Sequence, residues 1–152
     1  MNRRELLKFG MGLIAASVAL PSALNAENFR KTKPMVWKAK TPADAMKDLF
    51  GASTYTESGV KLKAPDIAEN GAVIPITIKK VPAGTKTIAV FQDANPESAT
   101  AVFTVHPRSI VSDYAIRIKM KKTGKVTVVA NVDGKLYGAS KTVKVTIGGC
   151  GG

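Results

Sequence analysis

Cysteine and histidine are almost absent from this 152-residue chain, which contains one of each, Cys150 and His106. A single cysteine cannot form an internal disulfide, and it lies far from the histidine in sequence, without the spacing typical of a metal site. The sequence also lacks a Cys-x-x-Cys pair, a GxSxG nucleophile elbow and a GxGxxG dinucleotide fingerprint. We therefore expect no metal site, no bound cofactor and no complete catalytic cycle in this chain. Because His106 precedes Pro107 at the end of an apolar run, we expect it in a loop.

Acidic residues are also scarce, since 11 carboxylates face 23 lysines and arginines and leave a formal net charge of +12. Nucleic-acid-binding proteins of such charge usually show clustered arginines or stacked exposed aromatics. Here lysine dominates and is spread singly along alternating patterns, so nucleic acid is not an expected partner. A solvated lysine-rich surface and a surface that attracts acidic proteins by long-range steering both remain open.

The chain begins with an export signal over residues 1–26. Arg3 and Arg4 precede Leu-Leu-Lys and an apolar run at 9–20 that is too short and too rich in Gly and Ala to span a membrane. This pattern resembles a twin-arginine signal, with cleavage after Ala26 favoured over cleavage after Ala23. We expect a periplasmic protein that is not held in the membrane. Removing three basic residues and one acidic residue with the signal lowers the net charge from +12 to +10.

Residues 27–147 read as one domain with a short helix followed by strands. Within 38–51, Thr41 is suited to an N-cap, Pro42 to the first helical position and Gly51 to the helix end. After it the apolar residues alternate with a period of two in about seven short segments separated by turn residues. We predict a mainly β fold: an immunoglobulin-like antiparallel β-sandwich with one short N-terminal helix.

Two turns predict how the later strands connect. Lys-Thr-Gly at 122–124 predicts a hairpin between the strands at 114–120 and 126–132, and Asp133-Gly134 predicts a type I′ hairpin into the last strands. The strand at 142–147 then leads into the C-terminus. Asn70-Gly71 and Asn95-Pro96 are read first as turn formers, with contact to a partner or ordering of the tail as the alternative.

The only cysteine lies two residues from the C-terminus in the sequence Gly-Gly-Cys-Gly-Gly. We expect residues 148–152 to form a flexible arm because Gly148, Gly149, Gly151 and Gly152 surround Cys150 with residues that disfavour ordered packing. Five extended residues span at most roughly 17 Å, and the thiol on the third of them could enter a pocket of another protein. The pattern therefore favours a carrier thiol over a buried structural cysteine.

These features together resemble the SoxY family, the sulfur-carrier subunits of the bacterial thiosulfate-oxidising Sox system. The resemblance rests on the terminal Gly-Gly-Cys-Gly-Gly, the twin-arginine signal, Ala-Pro-Asp-Ile-Ala-Glu-Asn-Gly at 64–71 and Ala-Asn-Pro at 94–96. It covers essentially the whole chain, although the lysine-rich segment at 118–125 is less typical of the family.

The resemblance implies that Cys150 is the covalent attachment site for sulfur intermediates. It further implies a heterodimer with a SoxZ-like β-sandwich subunit and transient docking to a c-type cytochrome, a sulfate-releasing hydrolase and, where present, a sulfane dehydrogenase. The chain itself would be a non-catalytic carrier. A rival hypothesis is a periplasmic structural or adhesive subunit whose Cys150 forms an intermolecular disulfide; a thiol redox enzyme is disfavoured because a resolving cysteine is absent.

Overall fold

The computed structural model describes residues 27–109 and 113–147. The described chain begins with three short helical segments: α1 (Phe29–Thr32), a 3₁₀ helix (Pro34–Lys38) and α2 (Pro42–Phe50). Eight strands follow within these residues: β1 (Lys61–Lys63), β2 (Ile67–Asn70), β3 (Ile74–Lys80), β4 (Thr87–Gln92), β5 (Ala99–Thr104), β6 (Tyr114–Ile118), β7 (Gly124–Val132) and β8 (Lys135–Ile147).

The predicted helix is confirmed as α2, and its ends are those that the local signals indicate. The Thr41 Oγ1 accepts a hydrogen bond from the Asp44 backbone N–H at 3.1 Å, and Pro42 occupies the first turn. Gly51 ends the helix at φ +79°, in the left-handed region that glycine adopts without a steric penalty. The segments α1 and the 3₁₀ helix were not predicted.

The strands form two sheets. One has three strands in the order β1-β3-β6, and the other has five in the order β2-β8-β7-β4-β5. Most neighbours are antiparallel, but β2 pairs with β8 in parallel, so the predicted all-antiparallel arrangement is wrong at this edge. The mainly β prediction is confirmed.

The core has two parts, one on each face of the five-stranded sheet. In β4, Ile88 and Val90 lie in the cluster between the sheets, whereas Ala89 and Phe91 lie in the cluster with the helices. The inter-sheet cluster also contains Ile74, Ile76, Ile78, Met120, Val126, Val128 and Val143; the helical cluster also contains Val36, Ala45, Met46, Leu49, Val129 and Leu136. The described domain thus has three layers, with the helices covering the outer face of the five-stranded sheet.

The predicted hairpin at 122–124 is wrong. Strand β6 pairs with β3 in the three-stranded sheet, and β7 pairs with β4 and β8 in the five-stranded sheet, so residues 119–123 cross from one sheet to the other. The Asp133-Gly134 hairpin is confirmed, with φ +49° and +87° at the two positions. It opens β8, which is one continuous strand of 13 residues rather than two.

Candidate functional site

The predicted functional residues lie outside the described residues. This applies to Cys150, to the glycines at 148, 149, 151 and 152, and to Arg3 and Arg4 of the predicted signal. The structure does describe the strand that leads to Cys150, because β8 runs to Ile147. We call Ile147, together with Asn70 and Gly71 that pair with it, the arm root.

Strand β2 holds the last residues of β8 in place. Strand β7 pairs with β8 only as far as Val143, and beyond that point β2 pairs alongside as far as Ile147. The Lys144 N–H donates to the Asp66 carbonyl at 2.9 Å. The Thr146 hydroxyl donates to the Glu69 carbonyl at 3.2 Å. Strand β8 is therefore held up to the last residue before the glycine-rich segment.

Gly71 connects the arm root to a second segment of the chain. Its N–H donates to the Ile147 carbonyl at 2.9 Å, and its own carbonyl accepts a hydrogen bond from the Met120 N–H at 2.8 Å. The turn around Gly71 is closed by the Asn70 side chain, whose Oδ1 accepts from the Ala72 N–H at 2.8 Å. Asn70 is thus a turn former, as predicted, and its turn also orders the base of the tail.

Residues 119–123, which we call the lysine loop, lie beside the arm root. Met120 is fully buried in the inter-sheet core, while Lys119, Lys121 and Lys122 are exposed. At the far end of the loop, the Thr123 hydroxyl oxygen accepts a hydrogen bond from the Val145 N–H at 3.0 Å. The buried methionine and this bond fix the loop against β8. Three lysines that are far from the C-terminal tail in sequence are thereby placed near the start of the tail.

Asn95 fixes the lysine loop from the other side. Its Nδ2 donates to the Lys119 carbonyl at 2.8 Å, and its Oδ1 accepts from the Lys121 N–H at 2.9 Å. The side-chain amide therefore makes one hydrogen bond to the backbone on each side of Met120. The predicted turn-forming role of Asn95-Pro96 does not describe all that Asn95 does. Its side chain also links its own loop to residues 24 and 26 positions later in sequence.

The lysines of this loop are not neutralised by the described part of the chain. The ion pairs between described residues are Lys79–Asp113, Lys86–Asp133 and Lys141–Asp66, and none includes a lysine of the loop. The nearby Asp93 carboxylate accepts a hydrogen bond from the Lys125 backbone N–H at 2.7 Å. Exposed lysine side chains without an ion-pair partner among the described residues thus lie on the loop beside the arm root.

Exposed apolar side chains also lie at the arm root. The large apolar residues with the greatest exposure among those described include Ile147 at 69%, Ile67 at 58% and Val73 at 53%. Ile147 pairs with Asn70, and the Val73 N–H donates to the Asn70 carbonyl at 3.4 Å, so both flank the Gly71 turn. These apolar side chains therefore flank the same turn to which the lysine loop is hydrogen-bonded.

Outside the arm root, the described residues offer little chemistry. They contain no group of three or more His, Cys, Asp or Glu side chains that could hold a metal ion. His106 lies in the loop after β5, as predicted, where its Nδ1 accepts a hydrogen bond from the Arg108 N–H at 3.2 Å. Among the described helices, none has the length and apolar character needed to cross a membrane.

Comparison with known proteins identifies the family. The model of a family described as "Sulfur oxidation protein SoxY" matches residues 46–150, a span that includes the arm root and ends at Cys150. The chain belongs to the SoxY family. The structure of the sulfur carrier protein SoxY from Chlorobium limicola f thiosulfatophilum is 41% identical and has a TM-score of 0.61, with 68% of this chain and 94% of that chain covered. No curated protein matches the sequence.

A second solved structure shares only the fold of this SoxY family member. Superoxide reductase (neelaredoxin) from Ignicoccus hospitalis is 16% identical and has a TM-score of 0.51, with 58% of this chain and 80% of that chain covered. At this identity the likeness shows that the sheets are arranged similarly and carries nothing about chemistry.

Sequence reasoning missed the three lysines and Asn95 as neighbours of the arm root. The sequence shows that 118–125 is rich in lysine, but the local turn signal predicts a hairpin within one sheet for this segment. No local signal indicates that residue 95 bonds to residues 119 and 121, or that residue 71 bonds to residue 147, because these contacts depend on how the two sheets stack.

Proposed function

We propose that Cys150 is the residue on which this sulfur carrier of the Sox system holds its cargo. Family membership makes the chain a sulfur carrier, and the observation that supports Cys150 is the family match, which ends at the only cysteine in the sequence. Strand β8 supports the same assignment because it leads toward Cys150 from an exposed position at Ile147.

The proposed cycle begins with oxidative attachment of thiosulfate. The Cys150 thiolate and the terminal sulfur of thiosulfate form a sulfur–sulfur bond, and two electrons pass to a c-type cytochrome partner. The product is a cysteine S-thiosulfonate. A hydrolase then adds water to the terminal sulfone and releases sulfate, which leaves a persulfide on Cys150. Where a sulfane dehydrogenase is present, it oxidises the remaining sulfur.

The chain supplies the thiol, and the partners supply the activation. A free cysteine has a pKa near 8.5, so only roughly 3% of such thiols are ionised at neutral pH. No basic residue lies within 148–152, and the nearest in sequence is Lys144. A cationic pocket in each partner would stabilise both the thiolate and the sulfonate through charge-assisted hydrogen bonds. This division of roles fits a non-catalytic carrier that needs no cofactor beyond its covalent sulfur cargo.

The glycines at 148, 149, 151 and 152 are proposed to give the arm its reach. Glycine lacks a Cβ, so the backbone can follow a narrow channel without side-chain clashes. The domain at 27–147 would then act as the rigid base of a swinging arm. Its two stacked sheets support a relation to immunoglobulin-like sandwiches, with the parallel β2–β8 pair as a departure.

The proposed setting is the periplasm. Residues 1–26, with Arg3 and Arg4, are proposed as a twin-arginine signal that is removed on export. There the carrier would form a heterodimer with a SoxZ-like subunit and dock transiently with the cytochrome, the hydrolase and any sulfane dehydrogenase. Neither nucleic acid nor the membrane is a proposed partner.

Intact mass spectrometry of the mature protein tests the assignment. The protein is taken from cells grown on thiosulfate, without reductant, beside a Cys150→Ala variant. We expect reductant-labile adducts of one sulfur atom or one thiosulfate on the wild type alone. Only bare thiol together with a Cys150-linked homodimer would instead support the structural or adhesive subunit, and adducts that persist in Cys150→Ala would place the cargo elsewhere.

A further inference from the structure

We infer that the lysine loop and the apolar side chains of Val73 and Ile147 form a docking surface for partner enzymes whose arm-accepting pocket is bordered by aspartate and glutamate. This inference rests on the proposed carrier function and adds to it a location on the carrier and a chemical class of partner surface. The surface is defined by Lys119, Lys121, Lys122, Val73 and Ile147.

The short distance from the arm root to Cys150 brings any partner close to this surface. Cys150 is the third residue after Ile147, so its Cα lies at most about 10 Å from that of Ile147 even when the chain is fully extended. Any enzyme that receives the sulfur atom inside a pocket must bring the border of that pocket close to the arm root. The groups exposed there are therefore the ones that a partner meets first.

The described residues leave the charge of this surface available. None of the ion pairs in the described part of the chain uses the lysines of the loop. Two exposed carboxylates, Glu69 on β2 and Asp93 beside the end of the loop, lie near this surface, and they are outnumbered by its three ammonium groups. This excess of lysines, on a chain of net positive charge, favours approach of acidic surfaces through long-range steering.

The loop is also fixed before any partner arrives. The two bonds of Asn95, the Gly71–Met120 bond and the Thr123–Val145 bond hold its backbone, and Met120 anchors it in the core. Because the backbone is already ordered, docking costs only the freedom of the lysine side chains. A preformed cationic loop is thus suited to brief encounters with several partners.

A protein is favoured over a small anion or nucleic acid as the occupant. The lysine loop is hydrogen-bonded to the Gly71 turn, which is flanked by the exposed side chains of Val73 and Ile147 at 53% and 69% exposure. Apolar groups together with charged ones are typical of protein interfaces. A nucleic-acid surface would be expected to carry arginines and exposed aromatics, and the lysine loop has neither.

The test compares two triple variants with the same change in net charge. The first carries Lys119→Gln, Lys121→Gln and Lys122→Gln. The control carries Lys61→Gln, Lys80→Gln and Lys135→Gln, which are exposed lysines at the opposite end of the domain. Lys61 and Lys80 are paired at the end of β3 remote from Gly71, and Lys135 begins the strand that Ile147 ends.

The mature carrier, with its SoxZ-like subunit, is loaded chemically: the Cys150 thiolate attacks tetrathionate, forming the S-thiosulfonate and releasing thiosulfate. The kcat/KM for sulfate release is then measured with the sulfate-releasing hydrolase of the same organism at about 20 mM and about 1 M salt. At low salt we expect the loop variant to lose roughly tenfold in kcat/KM, through KM, and the control less than about twofold. At high salt the Debye length falls to about 3 Å and the difference should disappear.

Equal losses of kcat/KM in the two variants would show that net charge alone steers the encounter. No loss in the loop variant would show that the partner does not contact the loop. Either result overturns the inference while leaving the carrier function intact. Failure of the proposed function has a different signature, because the hydrolase would then release no sulfate from the loaded wild-type carrier at any salt concentration.

Discussion

At the scale of single residues, Gln92 determines the shape of the loop that carries Asn95. Its side chain is 1% exposed, yet each polar atom is bonded. The Nε2 donates to the Glu97 carbonyl at 2.7 Å, and the Oε1 accepts from the N–H groups of Ala94 and Asn95 at 2.7 and 2.8 Å. A buried amide that satisfies three backbone groups stabilises a loop that the backbone alone would leave unpaired.

Gln92→Leu should therefore destabilise the domain. Leucine fills the space but leaves two N–H groups and one carbonyl without partners, and we expect the free energy of unfolding to fall by about 2–4 kcal/mol. Urea unfolding followed by circular dichroism measures this change. Glu97→Gln is the matched control, because that side chain is exposed in the same loop and its replacement should change stability by less than about 0.5 kcal/mol. A leucine variant as stable as the control would show that water replaces the amide.

At the scale of secondary-structure elements, α2 is held in place by its cap as well as by its apolar face. The Thr41 Oγ1 accepts from the Asp44 N–H at 3.1 Å, and the Thr41 hydroxyl donates to the Asp44 carboxylate at 2.7 Å. The acidic residue also lies in the first turn, where it interacts favourably with the helix dipole. The buried face of Ala45, Met46 and Leu49 then packs on the five-stranded sheet.

Removing the cap should weaken the whole helical layer. Thr41→Ala leaves the Asp44 N–H without its side-chain acceptor, and we expect a loss of about 1 kcal/mol in the free energy of unfolding. Thr41→Ser keeps the hydroxyl and should stay within about 0.5 kcal/mol of the wild type. Thermal denaturation of both variants provides the comparison. Equal losses in the two would indicate that the methyl group of Thr41, rather than its hydroxyl, stabilises the helix start.

The same element shows what the sequence can predict. Thr41, Pro42 and Gly51 predict α2 because a helix is closed by bonds within a few residues. Asp133-Gly134 predicts its hairpin for the same reason. The turn at 122–124 gave the wrong result because a local turn signal does not indicate which sheet the next strand joins. Strand β2 has no comparable local signal, because its partner, β8, follows 77 residues later in sequence.

At the scale of the whole molecule, the five-stranded sheet holds the end of β8 while Ile147 stays exposed. Pairing with β7 up to Val143 and with β2 up to Ile147 makes the strand a continuation of the core. The position of the arm root could not be predicted from sequence, because it is formed by contacts between distant residues. Cys150 could be proposed as the attachment site from sequence, because its glycine neighbours are a local pattern. The fold therefore fixes where the arm starts, and its glycines are proposed to determine where the thiol can go.

This division of roles predicts that bulk in the arm affects turnover without affecting the fold. In Gly149→Val, a β-branched side chain beside Cys150 restricts the backbone and widens the segment that must enter a partner's pocket. We expect turnover of the loaded carrier by the partner hydrolase to fall by roughly tenfold or more, and Gly149→Ala to give a smaller loss, since a 1 Å misplacement at a reacting group can cost about 10²-fold. Alkylation of Cys150 by iodoacetamide and the unfolding midpoint should match the wild type in both variants, because neither depends on entering a pocket. Wild-type turnover in Gly149→Val would show that the partner does not enclose the arm, and slowed alkylation would show that the valine shields the thiol itself.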